Sequence, residues 1–196
     1  MLRQQVARPF RFLDLACGDA AGIVSALQGT QVCHYHGVDL SGPALAMASV
    51  SVEALSCQVE LDQRDFIAAM ADRPEPADVV WIGLSLHHLA TADKLTLMRE
   101  VRAVVGEAGR FLIYEPTCRD GEDRDGYLAR FERVSRPLWA ALSAAEWASI
   151  LDHVTRCDLP ETAAGWTALG HAAGFGRVEQ LFVAPTDLYR LFDFLA

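Results

Sequence analysis

The stretch RFLDLACGDA (residues 11–20) gives the strongest indication of the fold. Apolar residues surround the aspartate Asp14 and lead into a small-residue turn around Gly18. A turn of small residues lets the backbone approach a ligand closely, and a helix that follows offers free N–H groups to bind it. In doubly wound sheets such sites lie beyond the carboxyl ends of the strands. The stretch therefore predicts the first strand of an α/β domain, with a ligand site at its end.

The rest of the chain alternates short apolar runs with longer helical patterns. The predicted strands cover residues 11–16, 33–40, 57–63, 77–84, 109–116, 177–185 and 188–195, and the predicted helices cover residues 20–29, 43–55, 65–71, 91–105 and 162–175. Connections of helix length are typical of a parallel sheet covered by helices on both faces. Only about two residues separate the last two strands, which indicates an antiparallel hairpin.

Composition restricts the classes of protein to consider. The 196 residues fit one domain, which we place at 1–196, and the 52% of hydrophobic residues can form a sizeable core. The formal charge of −9 argues against nucleic acid or an anionic membrane as a partner, because phosphate binding needs clustered cations. Five scattered cysteines, an amino terminus without a signal-peptide pattern and no apolar run of membrane-spanning length predict a cytoplasmic protein.

The ends of the first two strands indicate an adenosine-type ligand. Asp39 ends the second strand about 20 residues after Gly18, where an acid usually accepts hydrogen bonds from both ribose hydroxyls. The glycine pattern G-x-G-x-x-G, which admits a dinucleotide pyrophosphate, is missing. Asp14 would repel a diphosphate but suits a ligand with an ammonium group. An amino acid joined to an adenosine, as in S-adenosylmethionine, meets both demands.

Five motifs in the same order and spacing resemble the class I S-adenosylmethionine-dependent methyltransferases over nearly the whole chain. They are DLACGDA (14–20), GVDLS (37–41), QRDF (63–66), GLSLHHL (83–89) and REVRAVVGEAGRFLIYEP (99–116). The resemblance implies an α/β, Rossmann-like, doubly wound sheet of seven strands with helices on both faces. It also implies the strand order 3-2-1-4-5-7-6, an antiparallel seventh strand, and S-adenosylmethionine as the cofactor.

The resemblance also implies which residues bind the cofactor. Asp39 is expected to bind the ribose and Asp65 the adenine amine, with Phe66 beside the ring. Ala16 and Ala20 replace two glycines of the family's first motif, a mild change if neither position needs a positive φ. The full set of expected cofactor-binding residues is Asp14, Ala16, Cys17, Gly18, Asp39, Leu40, Asp65, Phe66, Gly83 and Leu84.

Three residues at the ends of the fourth and fifth strands are candidates for catalysis. His87 and His88 follow the fourth strand and Glu115 ends the fifth, so each can face a methyl acceptor or anchor a loop instead. A hydroxyl or carbon acid needs a general base near pH 7, whereas an amine or thiolate needs little more than alignment for in-line displacement. We predict no metal site, because adjacent histidines diverge and no carboxylate accompanies them.

Residues 117–165 interrupt the alternation of strands and helices. We predict a helical insertion that acts as a substrate lid, hinged near Gly121 and Gly126; a permanently packed buttress is the alternative. The acceptor contacts expected there and in the next helix are Tyr127, Trp139, His153 and Trp166.

The acidic chain and the missing signatures of nucleic-acid methylating enzymes favour methyl transfer to a small-molecule acceptor. Two alternatives remain open: a non-catalytic binding protein with the methyltransferase fold, and a nicotinamide-dependent oxidoreductase. The sequence leaves the acceptor, its reacting atom and the oligomeric state undecided.

Overall fold

The computed structural model of this protein describes residue 6 and residues 8–196. Most of the amino-terminal stretch that we inspected for a targeting signal therefore lies outside the described residues. Within the described part of the chain, no helix combines the length and the apolar character needed to cross a membrane.

Eight strands form the sheet in the described residues. They are β1 (Phe10–Leu15), β2 (Val32–Asp39), β3 (Gln58–Gln63), β4 (Val79–Gly83), β5 (Arg110–Cys118), β6 (Glu161–Thr162), β7 (Arg177–Val183) and β8 (Tyr189–Leu195). The order is β3-β2-β1-β4-β5-β8-β7, and the short β6 pairs only with the end of β5. Strands β1 to β5 pair with one another in parallel. Strand β8 runs antiparallel to both of its neighbours, β5 and β7. The predicted α/β fold and its strand order are confirmed, with β7 and β8 as the predicted strands six and seven.

Seven α-helices connect or cover these strands in the part of the chain that is described. They are α1 (Ala21–Leu27), α2 (Gly42–Ser51), α3 (Phe66–Ala71), α4 (Thr91–Val105), α5 (Arg124–Leu138), α6 (Ala144–Cys157) and α7 (Ala163–Ala172), with 3-10 turns at Val52–Ala54 and Leu86–His88. Five of them lie where helices were predicted, and α5 and α6 belong to the insertion.

The two faces of the sheet bury separate apolar cores. Because side chains alternate along a strand, Leu13 and Leu15 of β1 point to one face, while Phe10 and Phe12 point to the other. The first face packs on α3, α4 and α7, and the second packs on α1 and α2. This double burial explains why the central strands β1 and β4 are almost continuously apolar, whereas the edge strands β3 and β7 are mixed in character and largely exposed.

The insertion differs from its prediction in one detail. We expected no strand in residues 117–165, but β6 forms there and pairs with Thr117 and Cys118, because β5 continues past Pro116. Helices α5 and α6 form a third apolar cluster that includes Tyr127, Phe131 and Trp147. The insertion is thereby packed on the edge of the sheet where β4 and β5 end.

Candidate functional site

The loop after β1 contains three residues in the left-handed backbone region. Ala16, Gly18 and Ala20 each have φ 56°, and Ala20 precedes the first residue of α1. The two alanines are mild replacements only if neither position needs a positive φ, and both positions do. A left-handed L-residue other than glycine costs about 1–2 kcal/mol, so this loop holds strain that the family's glycines would avoid.

Asp39 holds this loop from the end of β2. The backbone N–H of Gly18 donates to Oδ2 of Asp39 at 2.8 Å, and the N–H of Ser41 donates to Oδ1 at 2.8 Å. A carboxylate has about four acceptor positions, so each oxygen can still accept from a ribose hydroxyl. The arrangement fits the ribose-binding role expected for Asp39.

Asp14 lies buried at the end of β1. It is 1% exposed, and its Oδ2 accepts a hydrogen bond from the hydroxyl of Tyr35 at 2.6 Å. Burial raises the pKa of Asp14 to about 7, against the opposing hydrogen bond from Tyr35 and with help from the charge of Asp39. An ammonium group placed beside this carboxyl would favour its ionised form, as expected for the amino acid end of the cofactor.

A cleft opens between the ends of β1 and β4. It is lined by Asp14, Ala16, Cys17, Asp19, Ala20, Gly22, Ile23, Ala26, Trp81, Gly83, Leu84 and Tyr114. Five of the predicted cofactor residues therefore line one cleft: Asp14, Ala16, Cys17, Gly83 and Leu84. Burial raises the pKa of the Cys17 thiol to about 12, so this thiol stays protonated near pH 7.

The expected adenine contacts lie further along the same sheet edge and do not line that cleft. Asp65 caps α3, since its Oδ1 accepts from the N–H groups of Ile67 and Ala68 at 2.9 and 3.1 Å. Both bonds use Oδ1, so Oδ2 can accept from an adenine amine. Phe66 is half-buried against the core, and Leu40 is 69% exposed.

Glu115 organises the loop after β4. This fully buried side chain accepts from the N–H groups of Ser85 and Leu86 through Oε1, at 3.1 and 3.0 Å. Its Oε2 accepts from the N–H of His87 at 3.3 Å and lies 2.6 Å from Nδ1 of the same residue. Glu115 therefore acts as a loop anchor, and it also orients the His87 ring.

The other ring nitrogen of His87 faces a second carboxylate. Its Nε2 lies 3.5 Å from Oδ1 of Asp158, and both side chains are buried. Burial alone would lower the pKa of His87, but hydrogen bonds with Asp158 and Glu115 and the charges of both carboxylates outweigh it. The resulting pKa is about 9.

His88 points toward solvent from the same turn. Its ring centroid lies 4.0 Å from that of His87 and 5.4 Å from that of His153. Burial and the neighbouring charge of His87 lower the pKa of His88. The two adjacent histidines thus differ: His87 is buried between carboxylates, while His88 is more accessible and titrates lower.

The region that forms the cleft matches a known protein family. Residues 12–109, half of the chain, match the family described as a methyltransferase domain. This chain belongs to that methyltransferase family. The match covers β1 to β4 and α4, and so includes every residue that lines the cleft except Tyr114.

Solved structures share the fold of this methyltransferase domain. An O-methyltransferase family protein from Burkholderia thailandensis has a TM-score of 0.70 and 18% identity, and the match covers 95% of this chain and 51% of that one. The S-adenosylmethionine-dependent methyltransferase SibL has a TM-score of 0.65 and 21% identity, covering 94% and 50%. Mitomycin 7-O-methyltransferase MmcR has a TM-score of 0.63 and 16% identity, covering 95% and 49%. The chain spans about half the length of these structures. No curated protein matches its sequence significantly.

The four residues expected to contact the acceptor differ in their solvent exposure. Tyr127 and Trp166 are fully buried in apolar clusters of this methyltransferase domain, so neither presents a free face to an acceptor. Trp139 is 39% exposed, and His153 lies beside His88. Trp139 and His153 therefore keep the surface that an acceptor contact requires.

The structure adds residues that sequence reasoning missed. The position of Tyr35 could have been inferred from the sequence, because it lies between His34 and His36 in β2 and so faces the opposite side of the sheet from both histidines. Asp158 had none, because it lies in the insertion, far from the histidines in the chain. It is held there by Lys94, whose buried Nζ donates to the carbonyl of Leu159 at 2.5 Å and to Glu161 at 2.9 Å.

Proposed function

We propose that this domain transfers the methyl group of S-adenosylmethionine to a hydroxyl group of a small molecule by in-line displacement. The observation that carries the proposal is His87, which lies between two carboxylates at the edge of the sheet where the cleft opens. Amines and thiolates need no such base, whereas a hydroxyl acceptor does. Two of the similar structures are described as O-methyltransferases, in keeping with this choice.

In this proposal the cofactor binds along the strand ends. S-adenosylmethionine supplies a methyl group that is already activated by its sulfonium. Asp14 would accept from the ammonium group, Asp39 from the ribose hydroxyls and Asp65 from the adenine amine. The strand ends would hold these three carboxylates in fixed positions, and alignment supplies much of the rate enhancement in such a displacement.

His87 would take the acceptor proton. Because the pKa of His87 is about 9, the ring acts as a base only in its minority neutral form near pH 7. In that form Glu115, 2.6 Å from Nδ1, favours the tautomer with the proton on Nδ1, which leaves the lone pair on Nε2. The acceptor proton passes to Nε2 as the oxygen attacks the methyl carbon and the carbon–sulfur bond breaks. Asp158 then faces the imidazolium that forms, at 3.5 Å from Nε2.

The insertion would form the acceptor side of the site. Its helices have their own apolar cluster, and Arg130 ties α5 to the carbonyl of Thr117 at 3.2 Å and to Glu122. The insertion can act as a mobile lid or as a permanently packed buttress, and hydrogen exchange on the free and the cofactor-bound protein distinguishes the two. A lid exchanges quickly when free and gains protection with ligand, whereas slow exchange across residues 127–160 in both states indicates a buttress.

A screen of hydroxylated small molecules with S-adenosylmethionine tests the function, with formation of S-adenosylhomocysteine as the readout. With the acceptor so found, we expect His87→Gln to lower kcat by about 10²–10⁴-fold, the usual contribution of a general base, and to leave cofactor affinity unchanged. His88→Gln is the matched control and retains more activity.

The same experiment addresses the two alternatives. No heat on calorimetric titration with S-adenosylhomocysteine would contradict the proposal and favour a binding protein that has lost the site. Binding of NADH in its place would favour the oxidoreductase.

A further inference from the structure

Three potential metal ligands meet beside the loop after β4. One ligand atom from each of His87, His88 and Asp158 lies within 4.8 Å of the other two. Oδ1 of Asp158 is 3.5 Å from Nε2 of His87 and 3.7 Å from Nδ1 of His88. A tetrahedral ion with bonds of about 2.0–2.2 Å separates its ligand atoms by about 3.3–3.6 Å. Two of the three separations therefore lie close to the tetrahedral value, and the third is within 4.8 Å. Nδ1 of His88 also lies 3.4 Å from the carbonyl of Cys157, a contact that it would give up to bind an ion.

Asp158 points a weakly paired oxygen into this space. Its side chain is 8% exposed, and Oδ1 has no hydrogen-bond partner among the described residues. Its nearest partners are Nε2 of His87 at 3.5 Å and Nδ1 of His88 at 3.7 Å, which are long for hydrogen bonds to a buried carboxylate. A cation bound between Asp158 and the two histidines would replace these long contacts with direct bonds.

The surrounding residues hold the ligands as an outer shell usually does. Glu115 contacts Nδ1 of His87, the arrangement that fixes a metal-binding imidazole so that Nε2 is directed to the ion. The N–H of Leu159 donates to the carbonyl of His87 at 2.8 Å, and Arg124 donates to the carbonyl of Asp158 at 2.7 Å. The backbone on both sides of the cluster is thus fixed.

We propose that His87, His88 and Asp158 form a binding site for a divalent transition-metal ion of the zinc class. Two imidazoles and one carboxylate suit zinc, whereas magnesium and calcium prefer oxygen ligands throughout. Three protein ligands leave the fourth position of a tetrahedral ion to water or a ligand oxygen. From the sequence we predict no metal, because no carboxylate accompanies the histidines in the chain; the insertion supplies one, Asp158.

This site shares His87 with the proposed methyl transfer, but the two proposals are tested by different measurements. An ion at Nε2 of His87 occupies the lone pair that would accept the acceptor proton, so ion and proton compete for one atom. Metal binding is therefore measured on the free protein, with no cofactor or acceptor present. A failure of metal binding leaves the methyl-transfer experiment unaffected, and the reverse also holds.

Equilibrium dialysis of the full chain against Zn²⁺, with the metal content measured by mass spectrometry, tests the proposal. We expect about one ion per chain, a loss of at least tenfold in affinity in Asp158→Asn and in His88→Gln, and Co²⁺ absorption of a four-coordinate site. His88→Gln changes a side chain that is 37% exposed, so it keeps the test valid if Asp158→Asn does not fold.

Glu60→Gln is the matched control. Glu60 of β3 lies 3.8 and 3.9 Å from His34 and His36 of β2, so it is the carboxylate of a second group of two histidines, away from the end of β4. We expect wild-type zinc affinity in this variant. No stoichiometric binding, equal affinity in wild type and His88→Gln, or a loss confined to Glu60→Gln would each overturn the proposal.

Discussion

The cofactor cleft and the histidine cluster lie at the same edge of the sheet, but different forces hold them. The cleft is lined largely by loop residues that follow β1 and β4 directly, and its first loop carries two alanines at φ 56°. The cluster of His87, Glu115 and Asp158 is buried and joins three distant segments through hydrogen bonds and charges. Backbone strain at the two alanines destabilises the loop of the cleft, whereas hydrogen bonds and opposite charges stabilise the cluster.

This difference indicates how each region responds to change. A backbone loop with few buried polar groups tolerates substitution of its side chains at modest cost. A buried polar network fails when one member is removed, because its partners lose donors or acceptors that water cannot replace.

The largest effect is expected from Glu115→Ala. Its removal leaves three backbone N–H groups and the His87 ring without their acceptor in a buried place. We expect the free energy of unfolding to fall by about 3–5 kcal/mol, as when one partner of a buried ion pair is lost. Urea unfolding measures this, with the exposed Glu60→Ala as control at less than about 0.5 kcal/mol. A loss below about 1 kcal/mol would mean that the cluster is not a network.

Asp39→Ala tests the cleft at its strongest point. Loss of charge-assisted hydrogen bonds to the ribose is expected to weaken S-adenosylhomocysteine binding by about 1.5–3 kcal/mol, or about 10- to 150-fold. Calorimetric titration measures the dissociation constant. Asp39→Asn keeps one carbonyl acceptor and should fall between wild type and Asp39→Ala. An unchanged dissociation constant in a folded Asp39→Ala protein would remove Asp39 from the site.

The pH dependence of stability tests the charge of the cluster. The pKa of His87 is raised from 6.5 to about 9, so its stabilising contribution is complete below pH 6.5 and is lost as the pH rises through 9. We expect wild type to lose about 1–2 kcal/mol over this window relative to His87→Gln. Urea unfolding at several pH values in the presence of a chelator gives the difference. Parallel curves for the two proteins would show that His87 is not held as an imidazolium.

The smallest effect is expected in the strained loop. Ala16→Gly removes the Cβ from a left-handed residue, and we expect a gain of up to about 1 kcal/mol in the free energy of unfolding. The control is Ala46→Gly at an exposed position inside α2, which should lose about 0.5–1 kcal/mol. If Ala16→Gly destabilises as Ala46→Gly does, the loop is not strained at this position.

The sequence by itself determined the sheet and the residues on its strand ends. Apolar runs of strand length, separated by helix-length segments, predict parallel pairing, and parallel strands necessarily present their carboxyl ends at one edge. Asp14 and Asp39 therefore lie together because each ends a strand, and the structure joins Asp39 to Gly18 of the intervening loop. The motif around Gly18 could be read from neighbouring residues alone.

Only the tertiary structure decided what surrounds His87. Sequence spacing places His87 and Glu115 at neighbouring strand ends, but it carries no information on which end of an inserted helix reaches them. Asp158 arrives there because α5 and α6 pack through Tyr127 and Phe131, and because Lys94 holds the segment that follows Asp158. Side-chain packing of this kind depends on shape and burial across the whole insertion. For the same reason, the spacing of aromatic residues in the sequence could not predict that Tyr127 and Trp166 are buried in the core.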